Sequence, residues 1–243
     1  MRLLVPYHLD EYRPGIDAPI TPDAVITAEL PEIDDPWARM AVLYDVVADQ
    51  VAASVRRGER AVVASGDCTT ALGTVAGLQR AGLDPALVWF DAHGDVQTLE
   101  TSASGYLGGF PLRMLVGYGR HLLADRIGLR DIQEEHAVLV GGRDLDPPEV
   151  EYLRAAQIRH RPVDDLGELP DGPLYLHLDF DVITPDDLPG LLFPVPDGPT
   201  LPTVSAAVRT VLATGRVAAF GLACTWRDHA GAAHHVRPLI DSA

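Results

Sequence analysis

Six short apolar runs punctuate this 243-residue chain, and stretches with helical spacing separate most of them. That alternation is what most limits the possible folds. The runs at 2–5, 60–64, 86–90, 136–140, 173–178 and 217–223 are continuously apolar more than alternating, as strands are when both faces are covered. Residues 36–57 predict a long helix, with Asp35 at the cap, Pro36 in the first turn and Gly58 past the end. Further helices are expected at about 70–80, 148–156 and 203–214, the last stopping at Gly215. Strands separated by helices imply right-handed crossovers and a mostly parallel sheet with helices on both faces. A Pro-, Gly- and Asp-rich stretch at 185–202 predicts a long loop inside the fold, and loops of that length are often functional. No repeat or clear linker divides the chain, so residues 1–243 are expected to form one domain.

In an open parallel sheet, ligands bind at the carboxyl ends of the strands. Four polar clusters fall there: Asp67-Cys68, Asp91-Ala92-His93-Gly94-Asp95, Asp144-Leu145-Asp146 and Asp179-Phe180-Asp181. In extended backbone, residues i, i+2 and i+4 share a side. Asp91, His93 and Asp95 would then aim three acceptors at one point, and Asp179 and Asp181 would repeat the pattern from a second strand. Converging acceptors repel unless something positive lies between them. One such motif alone fits a hydrogen-bonded loop equally well; two of them favour a metal. Four carboxylates and an imidazole suit a hard or borderline cation such as Mn²⁺. They are also more than a single divalent ion usually needs, so a two-metal site fits better.

The remaining composition narrows the partners. A net charge of −16 argues against nucleic acid and anionic membrane, both of which need basic patches. No run approaches the ~20 apolar residues of a membrane span. The first fifteen residues read as a strand followed by charges and prolines more than as a signal peptide. Two cysteines, Cys68 and Cys224, make no disulfide framework. The expectation is a reduced, cytoplasmic protein.

These motifs, in this order, resemble the arginase/agmatinase (ureohydrolase) family over nearly the whole chain. The family's G-G-D-H stands as Ser65-Gly66-Asp67-Cys68, while D-A-H-x-D at 91–95 and D-x-D at 179–181 are intact. The resemblance implies a three-layer α/β/α sandwich holding two Mn²⁺ per chain, bridged by hydroxide. Asp91 and Asp179 would bridge both metals, Cys68 and Asp95 would complete one site, and His93 and Asp181 the other. Asp95 would also act in catalysis, holding the nucleophilic hydroxide and moving its proton. Gln97 and Ser104 match positions that bind the carboxylate end of an arginine-like substrate. Asp146 and Glu149 match positions that would hold its α-amino end, although on local grounds Asp146 is equally a helix cap and Glu149 a first-turn acid. The family implies a small guanidine or amidine substrate and a homo-oligomer, trimer or hexamer.

Three departures bear on the substrate. Cys68 stands where most members carry a ligating His. It is either a small buried residue or a thiolate ligand, and a subgroup that hydrolyses Nω-hydroxy-L-arginine has Cys there. Gly108 stands where arginases place a His near the leaving group. Cys224 stands where they place the Glu that binds guanidinium, and Asp228 or the Trp226 ring could substitute. The resemblance therefore implies a binuclear manganese hydrolase cleaving a linear C–N bond in a guanidino, hydroxyguanidino or amidino compound. Nω-hydroxy-L-arginine, giving hydroxyurea and ornithine, fits the departures. The alternatives are a metal-binding relative that has lost turnover, or an amidinohydrolase for another biosynthetic substrate.

Overall fold

The structure is a computed structural model and describes residues 1–241. Ten strands lie among the described residues: β1 (Arg2–Val5), β2 (Tyr7–His8), β3 (Glu11–Tyr12), β4 (Ala24–Val25), β5 (Ala61–Ser65), β6 (Ala86–Asp91), β7 (Ala137–Gly141), β8 (Arg159–Arg161), β9 (Leu174–Asp179) and β10 (Val217–Ala223). Between and after them lie α1 (Pro36–Arg56), α2 (Thr70–Arg80), α3 (Pro111–Leu115), α4 (Ala124–Ile127), α5 (Pro147–Ala155), α6 (Leu201–Ala213) and α7 (Ala232–Asp241). Eight strands form one parallel sheet in the order β4-β1-β5-β10-β9-β6-β7-β8. β2 and β3 form a small antiparallel hairpin.

The period of two along each strand divides the interior into two cores. Leu87 and Trp89 of β6 join the core that α1 and α2 cover, whereas Ala86, Val88 and Phe90 join the core beneath α6 and α7. All six residues of β6 and all six of β9 are buried, which is why neither reads as an alternating strand. The result is the expected three-layer α/β/α sandwich. α1 begins as its sequence predicts, with the Asp35 side chain accepting from Ala38 N at 3.1 Å and Pro36 in the first turn.

The expected strands lie within one residue of their observed bounds. β5, β6, β7 and β9 each run one residue further than apolarity suggests, because ladder hydrogen bonds do not depend on the side chain. Asp91 and Asp179 are therefore the last residues of their strands. The hairpin, β4, β8, α3, α4 and α7 were not expected. β8 is Arg-His-Arg at a sheet edge, where charge guards against further pairing and no apolar run betrays the strand. α3 and α4 are too short to show a helical period. Among the described residues no helix is long and apolar enough to cross a membrane.

Candidate metal centre

The carboxyl ends of β5, β10, β9 and β6 are neighbours in the sheet, and a cavity of about 150 Å³ opens above them. Cys68, Asp91, His93, Asp95, Gln97, Ser104, Asp146, Glu149, Asp179 and Asp181 all line it. The structure thus brings together the ten residues assigned from sequence to the metals and to the amino-acid end of the substrate. It corrects the reason for their convergence. The acceptors do not lie along extended strands, because β6 stops at Asp91 and β9 at Asp179. Beyond Asp91 the chain turns, and Asp95 adopts the left-handed conformation (φ 53°), uncommon for a side chain other than glycine. Asp181 sits in a single 3-10 turn, Phe180–Val182.

Backbone groups fix these side chains. Asp91 Oδ1 accepts from His93 N at 2.7 Å, Asp179 Oδ1 from Asp181 N at 2.9 Å, and Asp181 Oδ1 from Ala92 N at 3.2 Å. Thr225, just past β10, donates its hydroxyl to Asp179 Oδ1 at 2.6 Å. The Cys68 thiol donates to Asp179 Oδ2 at 3.0 Å and lies 3.9 Å from Asp91 Oδ2. Asp67 is not on the cavity wall. It accepts from Leu9 N at 2.6 Å and Thr69 N at 2.8 Å, and so fixes the loop that presents Cys68.

The electrostatics of this floor suit cations. Burial pushes the Asp95 and Asp179 carboxyls well above the usual range, and neighbouring carboxylates add to the shift. Asp181 is pushed up to about 6 by burial and by the Asp91 charge. Burial, then Asp179, Asp95 and Asp91, push the Cys68 thiol up as well. Asp91 alone is lowered: burial opposes its ionisation, but hydrogen bonding and charge from His93 prevail. In return, His93 is raised to about 12. Burial lowers it, and contacts of Nδ1 with Asp181 at 3.2 Å and Asp91 at 3.3 Å more than offset that. Acidic groups this crowded resist ionisation unless compensated. Asp95 Oδ2 is buried without a hydrogen-bond partner, an acceptor awaiting a positive group. Two trios have ligand atoms within 4.8 Å of one another, Asp91/His93/Asp181 and Cys68/Asp91/His177. Oxygen, imidazole and one sulfur donor fit a pair of divalent cations.

The rim is built differently. Gln97 Nε2 donates to Asp146 Oδ2 at 2.8 Å, and its Oε1 accepts from Thr101 Oγ1 at 2.8 Å. Ser104 Oγ accepts from Tyr106 N at 3.2 Å. Asp146 is the N-cap of α5, and Glu149 lies in its first turn. Glu149 Oε2 accepts from Asp146 N at 3.0 Å and Oε1 from Val96 N at 3.2 Å, so the carboxylate ties the helix start to the loop after Asp95.

Three rim expectations need correction. Cys224 does not line the cavity; it packs in the core beneath α6 and α7, and Thr225 presents the wall instead. Asp228 does not reach in, because Arg13 holds it at 2.8 Å. The Trp226 ring is also turned away, with Nε1 donating to Asp17 O at 2.8 Å and the ring packed on Phe180. The aromatic wall comes from Tyr106 and Phe193, whose ring centroids are 5.0 Å apart. Phe193 lies in the long loop expected to be functional. Tyr106 also explains Gly108: a Cβ there would lie 2.3 Å from Tyr106 Cε1. The tyrosine ring fills the space that any side chain at 108 would need, and its hydroxyl lies 3.1 Å from His8 Nε2. No local pattern marks Tyr106, Phe193 or Thr225, since each acquires its place from the fold.

Known proteins resemble this chain in sequence and fold. The family model described as "Arginase family" matches residues 11–225. Arginase from Bacillus caldovelox is 38% identical over 169 residues, which cover 63% of this chain and 55% of that protein. The chain thus spans little more than half the length of that relative. N(omega)-hydroxy-L-arginine amidinohydrolase from Streptomyces lavendulae is 33% identical over 203 residues, 79% of this chain and 72% of that protein. The native structure of the Bacillus caldovelox arginase superposes with a TM-score of 0.84 and 28% identity, covering 99% of this chain and 96% of that one.

Proposed function

The chain belongs to the arginase family, and from that premise we propose that residues 1–243 form one binuclear manganese hydrolase domain. It cleaves a C–N bond in a guanidino-type compound, with an Nω-hydroxy-L-arginine-like substrate preferred over arginine. The observation that carries this reading is the convergence of Cys68, Asp91, His93, Asp95, Asp179 and Asp181 on one floor, with all but the half-buried His93 buried. These six would hold the cations. Two Mn²⁺ ions held there would supply Lewis-acid polarisation and a lowered pKa for water.

The chain's own groups do the rest. Asp95 would accept a proton from the attacking water at a carboxylate oxygen not engaged by a cation. It returns the proton to the departing amine as the C–N bond breaks. Gln97, Ser104 and Asp146 orient the amino-acid end at the rim. Glu149, engaged by two backbone N–H groups, positions the 95–97 segment and Asp146. Tyr106 and Phe193 supply an aromatic wall beside the bound substrate.

Substrate preference follows from what the wall lacks. Among the described residues no carboxylate after β10 lines the cavity, and a full guanidinium in a water-poor site needs a paired carboxylate. A hydroxyguanidine is less basic and needs that partner less. The named Streptomyces lavendulae relative and the thiol at Cys68 support the same choice. The test is to load the protein with Mn²⁺, count metal per chain, and measure urea or hydroxyurea release from arginine, agmatine and Nω-hydroxy-L-arginine. Two metals and preferential release of hydroxyurea are expected. Bound metal without product from any of the three would sink the reading and favour a relative that has lost turnover.

A further inference from the structure

His177 lies in β9, two residues before Asp179, and is buried. It stands level with Trp89 of β6 on one side and Gly221 of β10 on the other. Its ring stacks on the Trp89 indole, with centroids 3.7 Å apart and planes at 19°. Nδ1 lies 3.1 Å from the Tyr175 hydroxyl. That contact depends on Gly221, where a Cβ would come within 2.1 Å of the Tyr175 oxygen. Nε2 is buried and has no hydrogen-bond partner.

An imidazole held this firmly, with one nitrogen bonded and the other bare, has the arrangement of a metal-ligating histidine. Such residues almost always engage their second nitrogen with a neighbour that fixes the ring and the tautomer. A ring nitrogen of His177 lies within 4.8 Å of the ligand atoms of Cys68 and Asp91. The Trp89 indole that carries the ring also donates to Asp91 Oδ2 at 3.2 Å. The residue is thus built into the support of the floor, yet it does not line the open cavity. An unpaired buried nitrogen is costly, and a cation is the partner its surroundings allow.

We propose that His177 Nε2 is a further ligand for the cation held by Cys68 and Asp91, with the Tyr175 hydroxyl accepting from Nδ1 to fix the donor tautomer. This rests on the metal-centre reading and adds to it a second imidazole. One cation would then be held by thiolate, carboxylate and imidazole, a softer set than that of its neighbour, and the two positions should differ in metal preference.

The test loads the intact protein with Co²⁺ and counts hyperfine-shifted, exchangeable imidazole N–H proton resonances. Two are expected, from His93 and His177. His177→Asn should remove one, leave the His93 signal, and weaken one of the two Co²⁺ affinities roughly 10-fold or more. Tyr175→Phe should keep both signals and weaken the same affinity by a smaller factor. Wild-type protein with bound Co²⁺ and a single imidazole signal would overturn the proposal while leaving the metal centre intact, whether or not the variants fold. Protein that takes up no Co²⁺ would overturn the metal-centre reading and this inference with it.

Discussion

The floor and the rim of the cavity are separated by a few ångströms and follow different rules. The floor is nearly dry and is fixed by backbone hydrogen bonds: Asp91, Asp95, Asp179 and Asp181 are all buried, and three of them accept from main-chain N–H groups next to the opposite or the same motif. Much of the rim is made of side chains that hold one another, such as Gln97 with Asp146 and Tyr106 with His8, beside the backbone contacts of Ser104 and Glu149. A floor anchored by backbone keeps its geometry when neighbouring sequence changes. A rim built of side-chain contacts can be rebuilt residue by residue. That difference teaches why the metal chemistry and the substrate preference part company in this chain.

The largest effect should come from breaking the floor. Asp179→Asn removes a carboxylate that meets Cys68, Thr225 and Asp181, and Mn²⁺ affinity should fall on the order of 100-fold or more. Without metal, the same variant should melt no lower than wild type, because burial opposes ionisation at this position. Calorimetric titration and thermal melts give the two halves of that contrast.

Proton competition should be nearly as large. In the metal-free protein His93 is raised to about 12, so at pH 6 to 8 it carries a proton that a cation must displace. The sign is therefore fixed: Mn²⁺ affinity should rise with pH, by roughly tenfold per pH unit for that single proton. Titrations in buffers of different ionisation enthalpy would count the protons released. A flat profile would show that His93 is not displaced.

The rim predictions are smaller. Gly108→Ala should destabilise by about 1–3 kcal/mol through overpacking against Tyr106. In a Tyr106→Ala background the same change should be close to neutral. Urea denaturation of the four proteins reads out the coupling. Asp146→Ala should raise KM about tenfold for an amino-acid substrate, with a lesser change in kcat. Asp228→Asn should leave KM unchanged and cost no more than about 1 kcal/mol of stability, as expected for a half-exposed ion pair with Arg13. A strong effect on KM would mean that Asp228 swings into the cavity after all.

The same division governs what the sequence discloses. The parallel sheet is legible because β6, β9 and β10 are buried on both faces, which leaves an unbroken apolar signature. The floor is legible because its residues come in pairs and trios two positions apart at strand ends. Their mode of convergence is not, since a left-handed residue at Asp95 and a 3-10 turn at Asp181 leave no mark in the residue types. At the rim, alignment of motifs places Cys224 in the wall, but the chain leaves β10 so that Cys224 packs into the core and Thr225 faces the cavity. His177 reads as one more residue of a buried strand. Only the contacts with Trp89, Tyr175 and Gly221, from two neighbouring strands and its own, reveal its bare nitrogen.

Strand order also sets a timetable for assembly. β10, the latest in sequence of the described strands, lies between β5 and β9 and, among the described residues, is the only link between the β4-β1-β5 and β9-β6-β7-β8 halves of the sheet. The carboxylates of β6 and β9 belong to one half, and the Cys68 loop belongs to the other. A nascent chain can pair β6 with β9 early, but it cannot bring the thiol to the carboxylates until β10 has inserted. That late, long-range step is the kind that slows folding, and it makes the closing of the metal centre a signal that the whole sheet is complete.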